Sequence, residues 1–237
     1  MDRSVRKYLQ IIDPQKSYYF RKKILRWYDS NKRRFPWRRT KNPYYILVAE
    51  ILLQQTDADK VAKEYSSFIR TFPKPKKLAT ASKSNVNRFI SKLGLDYKVN
   101  RLINIAVEID KRFNGTIPDM QDELLKLPGI GPYIANAVLA SAYNKRVAIL
   151  DTNIVRILDR FFGLKSSKTR ARTDPMLWTA AKQLLPKKTH MCKAWNYALL
   201  DFGALVCSHY NTQCKECPCR HKCNYFSAFQ KNLIFLR

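Results

Sequence analysis

Apolar residues recur along most of the chain at intervals of three and four, the spacing of a helix with one buried stripe. Val61, Tyr65, Phe68 and Phe72 form one such series, and Val99, Leu102, Ile103, Ala106, Ile109 and Phe113 a second. Period-two alternation is weak, so the predicted fold class is all-α. Pro36, Pro43, Pro73, Pro75, Pro118, Pro128, Pro132, Pro175 and Pro186 fall at predicted helix starts and connections, where a missing N–H costs least. Asn114-Gly115 is predicted to end the Val99 helix, because both residues tolerate left-handed backbone. Val147-Ala148-Ile149-Leu150 is short enough for a strand, but between two helices it is predicted to be a buried connection.

Between these helices lies PGIGPYIANAVLASAYNKRVAILDTNIVRILDRFFGL, from Pro128 to Leu164. Gly129 and Gly131 frame a turn that brings backbone N–H groups close to an anion, and Pro132 opens the next helix. Such a turn can hold one phosphate. It is also compatible with an ordinary αα-hairpin.

The charge balance supports the anion. Forty-five Lys and Arg face eighteen Asp and Glu, a formal net charge of +27 over 237 residues. That surplus points to a polyanionic partner, with nucleic acid the first candidate. The basic residues are spread through RKKILR, NKRRFPWRR, KPKK, KTRAR and PKKTH, which places the charge on a folded surface rather than on one tail. A basic membrane-surface protein is disfavoured, since no Lys-rich helix has a wholly apolar opposite face and no lipidation motif is present. No apolar run reaches membrane-spanning length, and the N-terminus lacks a signal core. An intracellular, cytoplasmic or nucleoid protein without a membrane partner is therefore expected.

In that setting cysteines suit metal ligation or core packing better than disulfides. Cys207, Cys214, Cys217 and Cys223 are spaced Cys-x6-Cys-x2-Cys-x5-Cys within seventeen residues, tight enough to wrap one metal centre. Four thiolates suit structural zinc or a [4Fe–4S] cluster, and spacing alone leaves both open. Cys192 and Cys219 stand outside the set, and His209 and His221 are expected to face solvent.

Taken together, LPGIGPYIANAV, LDTNIVRIL and the cysteine loop resemble the helix–hairpin–helix superfamily of DNA glycosylases. The likeness is to its endonuclease III and MutY branch, and it covers about Phe35 to Cys223. FPWRRTKNPYYILVAEILLQQT is a fourth match, similar to the stretch that carries a carboxylate and an intercalating wedge. The closest motif resemblance is to thymine mismatch glycosylases acting on T·G and U·G.

The resemblance implies two helical domains with DNA bound in a cleft between them. One is a six-helix domain over 42–146 that contains the hairpin. The other combines 1–41 with 147–237 and holds a [4Fe–4S] cluster in the loop 207–223. Asp151 and Glu50 are implied as catalytic carboxylates, and Tyr133 is implied in the catalytic set with them. Gln54 and Gln55 form the wedge, while Leu127, Gly129, Gly131 and Tyr133 belong to the DNA-binding hairpin. Cys207, Cys214, Cys217 and Cys223 are the cluster ligands. A monomer acting on double-stranded DNA with a mismatched or damaged base is expected.

The chemistry behind these roles is general. A base inside a duplex must be extruded before it can be reached. Breaking the glycosidic bond builds positive charge on the sugar, which an aspartate can stabilise while orienting water. Glu50 sits in an apolar helix, where burial would favour its protonated form and let it pass a proton to the leaving base. Where bifunctional relatives carry a lysine nucleophile, this chain has Tyr133, eighteen residues before Asp151. Monofunctional hydrolysis with weak or absent lyase activity is thus implied.

Two departures weigh against an adenine glycosylase of the MutY type. KLGLDYK places Leu95 and Asp96 where that group has GLGYY, and the chain stops fourteen residues after Cys223. Gln54-Gln55-Thr56 favours it, so adenine opposite 8-oxoguanine or guanine stays as the alternative. A non-catalytic DNA-binding module and a zinc-dependent RNA-binding protein are the readings from other classes. The paired carboxylates argue against the module, because a simple phosphate binder gains nothing from them.

Overall fold

The computed structural model describes residues 12–94 and 96–228; the Leu95 departure noted above lies outside them. Two compact units result: the described residues up to Arg33 together with those from Arg146 on, and Arg34–Lys145. Among the described residues there is no strand, and no helix is long and apolar enough to cross a membrane.

Helix α1, Pro14–Asn31, belongs to the first, or cysteine, unit. The chain then builds the second, or hairpin, unit from α2 (Pro43–Leu53), α3 (Ala58–Thr71), α4 (Pro75–Ala79), α5 (Lys83–Ile90), α6 (Tyr97–Phe113), α7 (Gln121–Leu125) and α8 (Pro132–Ser141). It returns to the cysteine unit with α9 (Thr152–Ile157), a π-helical turn at Leu158–Phe162, α10 (Pro175–Gln183) and α11 (Cys192–Leu205).

Local chemistry sets these boundaries. Pro14, Pro43, Pro75, Pro132 and Pro175 each occupy a first helical position, where their fixed φ is already helical. Asp13, Asn42, Asp57, Ser82, Asp151 and Asp174 cap their helices by accepting backbone N–H groups. Asn114, at φ 46°, and Gly115, at φ 74°, end α6 as predicted, and the Gly115 N–H donates to Ile109 O at 3.2 Å.

In the hairpin unit α2 and α8 pack together and are buried nearly all round, which is why their sequences show no amphipathic stripe. The amphipathic helices α3 and α6 cover this centre. Val61, Tyr65, Phe68 and Phe72 are all buried, as their spacing predicts. On α6 the stripe is Val99, Leu102, Ile105, Ala106 and Ile109. Ile105 takes the place expected of Ile103, and Phe113 is half-buried. Phe35 stacks on Trp37 with centroids 4.8 Å apart, and Trp37 meets Tyr65 edge-on at 5.4 Å. That aromatic packing places residues 34–41 with this unit rather than with the N-terminal segment.

The cysteine unit closes around Phe20 of α1, whose ring meets Phe161, Phe162, Trp195 and Phe202 at centroid distances of 4.5 to 6.4 Å. Arg33 donates both its backbone N–H and its guanidinium Nε to the buried Asp201, at 3.0 and 2.7 Å, fixing the end of α1 to α11. The segment 147–150 is a connection without regular structure, buried from Ala148 to Leu150, and Asn196 of α11 donates to Val147 O at 3.0 Å.

Candidate active site

The hairpin is built on a turn from Leu127 to Ile130, in which the Ile130 N–H donates to Leu127 O at 3.1 Å. Pro128 and Gly129 hold the two central positions, and Gly129 has φ +71°, the arrangement of a type II turn. Leu127 is buried, so its side chain anchors the turn instead of reaching outward. Gly131 caps α8 at φ −99°, and a Cβ added there would meet nothing within 4 Å. Among the described residues nothing requires glycine at that position. Tyr133 stands half-buried on the first turn of α8.

Glu50 lies on α2 with 4% of its surface exposed. One turn further on, α2 ends at Gln54, and Gln55 adopts a left-handed φ of 54°. Three side chains from the start of α6 hold this Gln54-Gln55 loop. Lys98 is fully buried and donates through Nζ to Leu52 O and Thr56 Oγ1, both at 2.6 Å. Its ammonium therefore sits on the last carbonyls of α2, where the helix dipole is negative. Burial, with Arg101 nearby, lowers its pKa to about 8. Tyr97 donates its hydroxyl to Gln55 Oε1 at 3.2 Å. Arg101 donates to both Gln54 Oε1 and Gly129 O, joining the end of α2 to the hairpin turn through one guanidinium.

Asp151, in the cysteine unit, is the N-cap of α9. Its Oδ1 accepts the Ile154 N–H at 2.8 Å and its Oδ2 accepts the Asn153 side-chain amide at 2.8 Å. The capping role is therefore real, and it fixes both carboxylate oxygens. Asn153 Oδ1 in turn accepts from Arg156 Nη2 at 2.7 Å, and Arg156 also donates to Gly203 O and Cys207 O, each at 2.7 Å. Gly203 is obligatory here, because a Cβ would lie 2.6 Å from Cβ of Asn153. Burial pushes the Asp151 carboxyl above the usual carboxylate range, against the pull of Ile154 N–H, Asn153 and Arg156.

Cys207, Cys214, Cys217 and Cys223 line one cavity, together with Cys219 and the apolar side chains of Ile157, Phe161, Phe202 and Val206. The Arg160 guanidinium lies 3.7 Å from Cys207 Sγ, and the Cys219 N–H donates to Cys217 Sγ at 3.4 Å. Donors directed at sulfur in an apolar pocket suit thiolates bound to a metal. Among the described residues, no three His, Cys, Asp or Glu side chains are drawn close enough to form a metal-holding group. His209 and His221 are exposed, and Cys192 is buried in the core.

The local sequence pattern does not mark Lys98, Arg101, Asn153 or Arg156 as site residues. Lys98 had a legible signal, since it stands four residues before Leu102, in phase with the buried stripe of α6.

Residues 48–183 match the family model described as HhH-GPD superfamily base excision DNA repair protein. The thymine-DNA glycosylase of Aeropyrum pernix is 39% identical over 209 residues, covering 87% of this chain and 94% of that protein. The thymine/uracil-DNA glycosylase of Pyrobaculum aerophilum is 38% identical over 201 residues, covering 84% and 87%. A solved structure of a thermostable thymine-DNA glycosylase superposes with a TM-score of 0.85 at 32% identity, covering 90% of this chain and 98% of the other. On the hairpin, the capped aspartate and these matches, the chain belongs to the HhH-GPD superfamily of base excision DNA repair proteins.

Proposed function

We propose that this protein is a monofunctional DNA glycosylase that removes thymine or uracil mispaired with guanine and leaves an abasic site. The observation that carries the chemistry is Asp151: a half-buried carboxylate fixed at both oxygens by Ile154 and Asn153. Such a group needs no reorganisation to stabilise charge as it develops on a sugar.

In this reading the hairpin holds a phosphate at Gly129 and Gly131, and Gln54 and Gln55 fill the stack left by the extruded nucleotide. The glycosidic bond breaks with its electron pair leaving on the base. Asp151 stabilises the resulting cationic sugar and takes a proton from the water that adds to C1′. Glu50 passes a proton toward the departing base. Tyr133 offers no amine, so no Schiff base forms and the backbone stays intact. The base choice is supported by the near full-length likeness to thymine and thymine/uracil glycosylases.

The four cysteines at Cys-x6-Cys-x2-Cys-x5-Cys are assigned to a structural [4Fe–4S] cluster, with their shared apolar cavity and sulfur-directed donors as support. When bound, the cluster would tie the loop 207–223 to the π-helical turn. Purified protein is expected to be brown, with iron and labile sulfide in equal amounts. Zinc in their place would overturn this assignment.

Single-turnover excision from duplexes carrying T·G, U·G, A·G and A·8-oxoguanine, with and without alkali, tests the function. Loss of T and U, with strand breaks only after alkali, is the expected result. Faster loss of adenine opposite 8-oxoguanine would overturn the base choice, and breaks without alkali would overturn the hydrolytic route.

A further inference from the structure

A basic concavity lies on α1, apart from every group that holds Asp151. Tyr18, Lys22 and Arg26 follow one another at four-residue intervals, so they share one face of the helix. Tyr19 and Lys23 repeat the spacing one residue on. These five, with Lys222 from the cysteine loop, line a cavity of about 700 Å³. Its position is fixed by Tyr19, whose hydroxyl donates to Pro218 O at 3.4 Å and whose ring draws Lys222 Nζ to 5.1 Å and Lys23 Nζ to 5.8 Å. The ring thus holds two cations at the rim by cation–π attraction.

Among the described residues no carboxylate lines this cavity, and Asp13, at the start of the same helix, is engaged in capping Gln15 and Lys16. Four cations without a counter-charge call for an anionic occupant. Tyr18 narrows the choice, because it is 63% exposed beside those cations. A large exposed ring flanked by lysine and arginine suits base stacking alternating with phosphate contact, the combination used on single strands. A duplex keeps its base faces inside the stack and is far wider than the cavity. An unpaired strand presents both faces and phosphates.

We propose that this cavity is a second nucleic-acid site, binding one or two nucleotides of unpaired DNA with a base on Tyr18 and phosphates on Lys22, Arg26 and Lys222. It does not rest on the assigned base specificity, since no lining residue touches Asp151, Asn153 or Arg156.

The test uses the full chain saturated with a matched duplex, and follows binding of fluorescein-labelled oligothymidylate by anisotropy. Oligothymidylate should bind alongside the duplex. Tyr18→Ala should weaken it about tenfold while Tyr18→Phe does not, the scale of one base–aromatic stack. Lys22→Gln with Arg26→Gln should lower the salt slope by about 1.4, from roughly 0.7 for each lost phosphate contact to a single strand. A strand carrying 5-iodouracil should crosslink to Tyr18, and mismatch excision should be unchanged in all these variants. Complete displacement by duplex, or binding indifferent to Tyr18→Ala, would overturn the site. Displacement by poly-glutamate that Tyr18→Ala leaves unaffected would assign the surface to an acidic protein segment and overturn it equally.

Discussion

Asn153 donates its side-chain amide to Oδ2 of Asp151 at 2.8 Å while its own carbonyl oxygen accepts from Arg156 at 2.7 Å. Arg156 reaches on to the backbone at Gly203 and Cys207. The carboxylate assigned to catalysis is thereby held from the end of α11 through two side chains. A hydrogen bond to the charged form keeps a carboxyl ionised, and burial opposes it.

Asn153→Ala removes one of the bonds that favour the anion. The Asp151 pKa, already raised by burial, should move further up, so activity is lost at a higher pH as the solution is made acidic. Single-turnover excision near neutral pH should fall about tenfold, the scale of a hydrogen bond to a charged group, and recover at alkaline pH. A uniform loss across the pH profile would show that Asn153 only packs α9 against Gly203.

Much of this arrangement is legible in the sequence because it is local. The capped helix start at Asp151 and the Pro128-Gly129 turn both depend on neighbours within three or four residues. The same holds for the Val61 stripe and the Asn114 helix end. What escapes is long-range reach. Arg101 meets Gly129 across 28 positions and Gln54 across 47, and Arg156 meets Cys207 across 51. No periodicity encodes the length of an arginine side chain. Ile105 replaces Ile103 because neighbouring helices, rather than the apolar residues alone, set which edge of α6 is covered.

The two hairpin glycines should separate stability from binding. Gly129→Ala places a side chain at φ +71° and a Cβ 2.8 Å from Arg101 Nε, so it should cost about 1–2 kcal/mol of stability. Gly131→Ala meets open space at an ordinary φ and should melt with wild type, within about 0.5 kcal/mol. Both should weaken matched and mismatched duplexes alike, because phosphate contacts carry no sequence information. Normal DNA affinity in Gly131→Ala would remove the phosphate from this turn.

Lys98→Met keeps the volume of the buried side chain but abandons Leu52 O and Thr56 Oγ1, an expected loss of about 1–3 kcal/mol. The amine titrates at about 8 in the folded protein against an ordinary 10.5. Between those values the unfolded chain binds more protons, so the stability Lys98 contributes rises with pH across that window, and the buried charge costs stability below it. The deficit of Lys98→Met relative to wild type, from denaturant unfolding, should therefore be larger near about pH 10 than at neutral pH. A deficit that shrinks as pH rises would contradict the buried, charged amine.

Tyr133→Lys places an amine on the first turn of α8, two residues after Gly131, where the half-buried ring now stands. A partly buried lysine in the first turn of a helix, where the dipole is positive, loses its proton more readily and becomes a nucleophile. If Tyr133 faces the sugar in the bound state, the variant should attack C1′, expel the base and form a Schiff base. Borohydride would trap that adduct, and part of the product should carry strand breaks without alkali. Wild type should give neither. If Tyr133→Lys folds and binds the mismatched duplex but yields no trapped adduct, Tyr133 does not face the reacting carbon, and its assignment to the catalytic pocket fails.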